Sequence, residues 1–504
     1  MNVRVSTLFQ AIVLATMSFV ALAYLASDMA HSYFDAISIL LIEVIGVTLY
    51  ISGGKLAERF PESIVVSATI YVFVLLRLAV LVIIPESLLH GHATTAEFMN
   101  NALFFILFGM IAGYLGLASG GSLGEKRRTS GRIIQLTGER QALQVIFLLL
   151  LLSVLSEVLQ YFLLGYMGTS SDKSEFNFFS RYISVLISPV PFSLLFFLVW
   201  TTEATTLKSK RLLFWMLITT FLGSVLMGSR GTTLFILLLW FSSRLILDGN
   251  FKAQVNLKNI AISFCVILLL AFLFFFALIF RALRYTENID LESAFSSIAA
   301  STDLHSVLMG MISDISYRLS AIESVNFVVS WQEYGLRDVS NLINFETSIL
   351  NAVERIIPGS QFDRRIFSEF AYGFMFYSDG VVAISDDGRL DLTGYEWNIF
   401  GLSYQLFGGY GGVLFIFISF LFLGYSIRKF ISIGGIYGVG YAIFLTWSLN
   451  AWVQNLGFDN FVARTVLQFL SLTLSVFIVT NFVPKFQVIR RRVLKSTRLQ
   501  PAIV

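Results

Sequence analysis

IAISFCVILLLAFLFFFALIFRALRYTENIDLES, residues 260–293, holds the boundary that decides the fold. Its first 21 residues carry no charge. At 1.5 Å per residue such a run crosses the roughly 30 Å of a bilayer's hydrocarbon as a helix. From Arg281 the chain turns polar and stays so until Leu402. Residues 281–402 contain eight arginines, no lysine and seventeen carboxylates, with aromatics throughout. Everything on either side reads as membrane.

Composition agrees. The 504 residues are 56% hydrophobic and only 13% charged, with 15% aromatics and a mean hydropathy of +0.77. These values exclude an ordinary soluble domain. The net charge of +3 gives no footing for nucleic-acid binding. The single cysteine, Cys265, lies in an apolar run and excludes a disulfide framework. His31, His90, His92 and His305 are too dispersed for a metal site, and His90-x-His92 fits a solvated loop better.

Apolar runs of spanning length occur at 8–25, 34–53, 63–84, 99–117, 142–165, 182–201, 212–227, 232–247, 260–280, 403–427, 434–453 and 465–483. The expected fold is an all-α polytopic membrane protein with about twelve transmembrane helices and one large, mainly helical extracytoplasmic loop. Residues 1–280 form a nine-helix portion with short loops, 281–402 the loop domain, and 403–504 three further helices with a basic tail. Placing the amino terminus inside puts about 22 Lys and Arg on cytoplasmic segments and about four on the short outer connections. Both ends are therefore expected inside and 281–402 outside. Arg4, the apolar run and Ala21-Leu22-Ala23 are similar to a secretory signal. Retention is expected, because removal would move Lys55 and Arg59 to the outer face.

Neither an internal repeat nor a Walker A nor a G-x-G-x-x-G pattern is found, so energy for any chemistry must come with the substrate. Glu43, Arg77 and Glu157 are charges within spans. They form either an outward-opening polar cleft, with Arg77 for an anionic headgroup, or ion pairs that lock helices together. Gly228-Ser229-Arg230-Gly231-Thr232-Thr233 is an outer hairpin whose glycines and following helix start suit phosphate, with Arg230 as a bidentate donor. The bland alternative is a snorkelling anchor.

In the long segment, 303–329 has helical periodicity with Asp303 as N-cap. Arg318 pairs with Asp314 four residues earlier or points, with Glu323, into a cleft. Gln361-Phe362-Asp363-Arg364-Arg365-Ile366-Phe367-Ser368-Glu369-Phe370, with Tyr372, Phe374, Phe376 and Tyr377 after it, suits a pyrophosphate beside sugar rings or an amphipathic helix at headgroup level. Arginine without lysine favours desolvated, bidentate phosphate binding. Arg281 and Arg284 add two more cations where the segment leaves the membrane. Its far end, from Leu392 through Trp397 to Gly412, has glycines that permit tight packing or a re-entrant turn.

At this point the chain resembles the O-antigen and exopolysaccharide repeat-unit polymerases of bacterial inner membranes (Wzy-type). The resemblance covers the whole architecture. Gly228-Ser229-Arg230-Gly231 is similar to the family's S-R-G-like hairpin, and Ser403-Tyr404-Gln405-Leu406-Phe407-Gly408-Gly409-Tyr410-Gly411 to its aromatic-x-x-F-G-x-x-G entry into a late span. Ser403 stands where many members carry an acid, with Glu396 the nearest upstream carboxylate. The resemblance implies a metal-independent, cofactor-free membrane glycosyltransferase of GT-C-like type, acting on undecaprenyl-pyrophosphate-linked oligosaccharide in the inner membrane. It would work beside bilayer lipids, a flippase and a chain-length regulator. Arg230, Arg318, Arg364 and Arg365 would bind pyrophosphate, with Arg77, Arg281 and Arg284 as further cations. Glu369, Glu323 or His305 would be the base, and Tyr372, Phe376, Tyr377 and Trp397 would line the sugar path. A ligase-like enzyme with the same donor, or a flippase for lipid-linked sugars, are the competing expectations.

Overall fold

The computed structural model describes residues 2–27, 34–83, 96–124, 133–134, 139–163, 189–203, 230–249, 251–254, 256, 261, 322, 325–326, 328–329, 345–356, 398–454, 458–482 and 488–489. The helices, in chain order, are α1 (Val5–Ala26), α2 (Ala36–Arg59) and α3 (Ser63–Ile83), then α4 (Ala96–Gly124), α5 (Glu139–Leu163), α6 (Pro189–Glu203) and α7 (Arg230–Asp248). The remaining ones are α8 (Phe345–Ile356), α9 (Ile399–Ile433), α10 (Gly435–Gln454) and α11 (Phe458–Phe482). Four short strands complete the described residues: β1 (Asn2–Arg4), β2 (Ile133–Ile134), β3 (Lys252–Gln254) and β4 (Val488–Ile489).

Among the described residues, six helices are long and apolar enough to cross a membrane: Val5–Ala26, Ala36–Arg59, Ser63–Ile83, Phe98–Gly124, Ile399–Ile433 and Phe461–Val479. Shorter apolar helices run over Leu143–Ser156 and Val190–Trp200. This is the composition of a helical membrane protein. The runs read at 212–227 and, apart from residue 261, 260–280 lie outside the described residues.

Apolar side chains on α1 have helical spacing. Val5, Phe9, Val13, Met17 and Val20 are buried, while Leu8, Ile12, Phe19, Leu22 and Leu25 face outward. The buried stripe seats on glycines of α2: a Cβ on Gly53 would stand 2.9 Å from Phe9, and one on Gly46 would meet Met17 at 2.5 Å. Asp35 caps α2 by accepting from the Ser38 N–H at 2.7 Å, and Asn100 of α4 donates to its other oxygen at 2.8 Å. Burial pushes the Asp35 carboxyl up, but the hydrogen bonds from the Ser38 backbone and from Asn100 and Ser38 side chains outweigh it and hold the group below its ordinary value.

Helix α3 contains a π-helical stretch, Tyr71–Leu76. An extra residue in a turn rotates the remainder of the helix by about 100°. Tyr71 from this stretch shares a 2.5 Å hydrogen bond with Thr16 of α1. Arg77 comes directly after it and is 0% exposed.

Among the described residues, α4 and α9 make the closest helix pairing and run parallel. Gly109, Gly116, Gly120 and Gly124 meet Ile416, Phe417, Leu421 and Tyr425 in rising order along the two helices, and Gly113 meets Phe420. From the other side, Gly424 would place a Cβ 2.7 Å from the Leu117 carbonyl. Small residues at such spacing let two backbones touch, the usual means of association where lipid gives no hydrophobic drive. One large core cluster joins α1–α4 with α9–α11, and a second joins α5–α7 with α10 and α11.

Both strand pairs are antiparallel and join distant parts of the chain. β1 pairs with β3, Asn2 opposite Gln254 and Arg4 opposite Lys252. β2 pairs with β4, Ile133 opposite Ile489. Each ladder holds its two segments at one end of the helices.

Candidate functional site

The described part of the long arginine-bearing segment folds back on the helical bundle. Ile322, Val325, Asn326 and Val329 are helical and buried at i, i+3, i+4 and i+7, the face that 303–329 was expected to present. Ile322, Val325 and Val329 belong to the same core cluster as Leu449, Trp452 and Val453 of α10 and Phe461 of α11. Further on, α8 packs against α11 with Ser348 and Ala352 inward and Ile349 and Leu350 exposed.

The segment leads into α9 through Asn398, whose side chain accepts from the Gly401 N–H at 2.8 Å and caps the helix. The helix does not run straight. Gly408 has φ +69° and ψ −170°, so residues 399–407 form a short arm that doubles back on the rest of α9. A Cβ on Gly412 would stand 2.7 Å from the Ser403 carbonyl, nine residues earlier, a separation of about 13 Å in a straight helix. Phe400 of the arm and Ile416 beyond the kink both touch Gly109 of α4. The motif Ser403–Gly411 is therefore a hairpin, and Tyr410 at its tip is 98% exposed. Only glycine adopts this φ without strain. Nothing lies within 4 Å of a Cβ on Gly408, so Gly408→Ala isolates that strain. It should lower stability by about 1–2 kcal/mol in thermal unfolding of the detergent-purified protein, whereas Gly409→Ala should change it by less than half as much.

Aromatic rings cluster where these elements converge. Phe407 stacks on Phe415 at 4.9 Å, and Trp452 stacks on Phe461 at 4.4 Å with Phe458 5.8 Å away. Phe415 reaches Trp452 edge-on at 6.2 Å. On the neighbouring face of α10, the Arg464 guanidinium lies 4.0 Å over the Trp447 ring.

Of the residues expected to form the site, two are described. Arg230 opens α7, so the backbone N–H groups of the first helical turn, from Arg230 to Thr233, are those a helix start offers to an anion. Arg77 is enclosed within the bundle and engaged there, though not by Glu43, whose Oε1 is buried without a hydrogen-bond partner among the described residues. Arg281, Arg284, His305, Arg318, Glu323, Arg364, Arg365, Glu369, Tyr372, Phe376, Tyr377 and Trp397 lie outside the described residues, as does the Glu157 side chain. Among the described residues no group of three or more His, Cys, Asp or Glu could hold a metal ion.

Two features were not anticipated. At the opposite end of α9, Arg428 and Glu62 form a buried ion pair, Nε to Oε1 at 2.7 Å and Nη2 to Oε2 at 2.9 Å. Nη2 also donates to the Arg59 carbonyl at 2.9 Å, and the guanidinium covers the Phe60 ring at 4.4 Å. The second is the polar wall of α10, Thr446 to Asn450, whose only sequence signal is hydroxyls and an amide inside an apolar run.

No protein-family profile matches this chain, and neither a curated protein nor a solved structure is found to be similar to it.

Proposed function

We propose that this protein polymerises lipid-pyrophosphate-linked oligosaccharide repeat units at the membrane face that carries residues 281–402. The observation that supports this most directly is the convergence at one end of α9–α11. There Ile322, Val325 and Val329 of the arginine-bearing segment share one core cluster with Trp452 and Phe461, and the glycine hairpin of α9 reaches the same rings through Phe407 and Phe415. In the reaction, a hydroxyl at the non-reducing end of the incoming unit attacks the anomeric carbon of the growing glycan. The bond from that carbon to pyrophosphate breaks, undecaprenyl pyrophosphate leaves, and the hydroxyl proton passes to a carboxylate or imidazole. Arginines stabilise the charge developing on the leaving group. Activation resides in the pyrophosphate bond, so neither nucleotide nor metal is required.

The strand ladders fit the number of spans. Eight of the twelve apolar runs lie between β1 and β3, and eight, four of them the same, between β2 and β4. An even count returns the chain to the same side, as each ladder requires. The parallel course of α4 and α9 fits as well, since both are entered from the face opposite the amino terminus in the twelve-span arrangement.

In cells lacking the gene, surface glycan should stop at one repeat unit on its acceptor. Complementation with Arg230→Ala or Arg364→Ala should cut long polymer on the order of 100-fold, the loss typical of removing one transition-state electrostatic partner. Lysine at either position should restore only part of it. Long polymer at normal abundance with both alanine variants would sink the phosphate assignment. A null strain with bare acceptor and accumulated lipid-linked polymer would show a ligase instead.

A further inference from the structure

The glycine hairpin can be placed in depth, because α2 and α4 touch near both ends of α2. Asn100 of α4 donates at 2.8 Å to Asp35, which caps the start of α2. At the other end Phe60, which closes α2, would lie 2.9 Å from a Cβ on Gly121 of α4. Asn100 and Gly121 are 21 residues apart, about 31 Å of helix, which matches the hydrocarbon thickness of a bilayer. Charges bracket this length, with Asp35 at one end and Glu58, Arg59 and the Arg428–Glu62 pair at the other. Between them the two helices expose Leu40, Val44 and Val47 of α2 and Phe104, Phe108 and Ile111 of α4.

Measured along α4, the hairpin sits deep. Tyr404 and Gly412 both meet Phe105, and Phe400 and Ile416 both meet Gly109. Gly109 is nine residues past Asn100, about 13 Å, and so lies close to the middle of the apolar length. The arm Ile399–Phe407 therefore starts near that middle and runs back along α4 toward the Asn100 end. Gly408, eight residues before Ile416, is about 12 Å nearer that end and level with it. Helix α10 stops short at the same depth: Trp452, two residues before its last, meets Phe415 edge-on at 6.2 Å. Backbone that begins a helix so deep is tolerated only inside protein or beside water. Asn398, Ile399 and Phe400 meet that condition, each at most 1% exposed.

We infer that Ile399–Phe407 is a re-entrant half-helix held within one leaflet of the bilayer. Tyr410, 98% exposed at the tip, lies among the lipid headgroups, where an amphipathic ring is favoured. Ile418, exposed two turns further on, lies against acyl chains near the midplane. This placement is independent of the polymerase reading. Taken with that reading, it sets the rings of Phe415 and Trp452 below the headgroups, at the depth of a substrate's lipid chain.

The test uses the full chain with Cys265→Ser in phosphatidylcholine vesicles, carrying one fluorophore on Ala36→Cys, Tyr410→Cys or Ile418→Cys. A nitroxide on the lipid headgroup should quench the labels at 36 and 410 best. A nitroxide near the acyl-chain end should quench the label at 418 about twice as strongly as the headgroup nitroxide does, over a depth of roughly 15 Å. A short thiol cross-linker should also join Phe105→Cys to Tyr404→Cys, whose native rings stand 4.9 Å apart. Headgroup quenching at 418 as strong as at 36 would put the hairpin above the membrane and overturn the placement. A deep label at 418 without the cross-link would also overturn it, because the arm would then leave α4. Positions 410 and 418 are exposed, so their labels decide the depth even where the Phe105 variant does not fold.

Discussion

Replacing Arg428 with alanine is expected to destabilise the protein by about 3–5 kcal/mol, the cost of leaving a buried carboxylate without its partner. The pair is enclosed on both sides, with Arg428 8% and Glu62 5% exposed. Nη2 donates at 2.9 Å both to Glu62 Oε2 and to the Arg59 carbonyl, while Nε stands 2.7 Å from Oε1 as a charge contact outside hydrogen-bond geometry, an extended grip that a compact ammonium cannot make. Three elements meet at this point. Glu62 and Phe60 come from the α2–α3 turn, Arg428 from α9, and Phe60 would lie 2.9 Å from a Cβ on Gly121 of α4. Alanine thus removes the ion pair, the cover over Phe60 and the donor to the Arg59 carbonyl together. Arg428→Lys should lose a large part of the same stability, because it keeps the charge but not the fork. Glu62→Leu combined with Arg428→Met should recover most of it, since an apolar pair of similar volume carries no desolvation penalty. Thermal unfolding in detergent, read by fluorescence-detected gel filtration, separates these outcomes. A loss under 1 kcal/mol for Arg428→Ala would mean the pair is solvated and worth no more than a surface contact.

That pair also marks the limit of sequence reading. Arg428 is visible in the chain as a positive residue following a long apolar run. Its partner lies 366 residues earlier, and no local pattern links the two. The spans themselves are legible because each is a local property, about twenty apolar residues without a break. Described helices lie at ten of the twelve runs. The glycines at 408–412 could be read as permitting tight packing or a re-entrant turn. Which glycine takes the positive φ depends on Phe400 and Ile416 both needing room at Gly109, a tertiary matter. The π-helical stretch before Arg77 leaves no trace in composition either, since Tyr-Val-Phe-Val-Leu-Leu suits an ordinary helix equally well.

The polar wall of α10 lies between these cases. Ser448 and Asn450 interrupt an apolar run in plain view, but a hydroxyl in a helix usually bonds the carbonyl four residues back and is silent. Only the structure separates Thr446, which does so, from Asn450, which has nothing to bond among the described residues. The same holds for Arg230. Sequence places a cation beside glycines, while its position as the first residue of α7 adds the helix-start amides.

The contact between α4 and α9 should be as intolerant of volume as the ion pair is of truncation. Gly113, Gly116, Gly120 and Gly124 stand three and four residues apart, so they form one stripe down α4. A Cβ on Gly120 would run into the Leu421 carbonyl oxygen, with the Tyr425 nitrogen 2.8 Å away. Both obstacles are backbone, so no rotamer change on α9 can make room. The helices would have to separate by roughly the width of a methyl group, which strips contact from the neighbours at Gly116 and Gly124 as well. Gly120→Ala is therefore expected to cost about 3 kcal/mol, the upper end of the range for overpacking, against a helix-propensity gain of about 1 kcal/mol that works the other way. Gly120→Leu should prevent recovery of folded protein altogether. Leu115→Ala, on the exposed face of the same helix, is the control and should change stability by well under 1 kcal/mol. If Gly120→Ala instead matches that control, α4 and α9 do not touch backbone to backbone, and the doubled-back arm that shares Gly109 with them loses its seat.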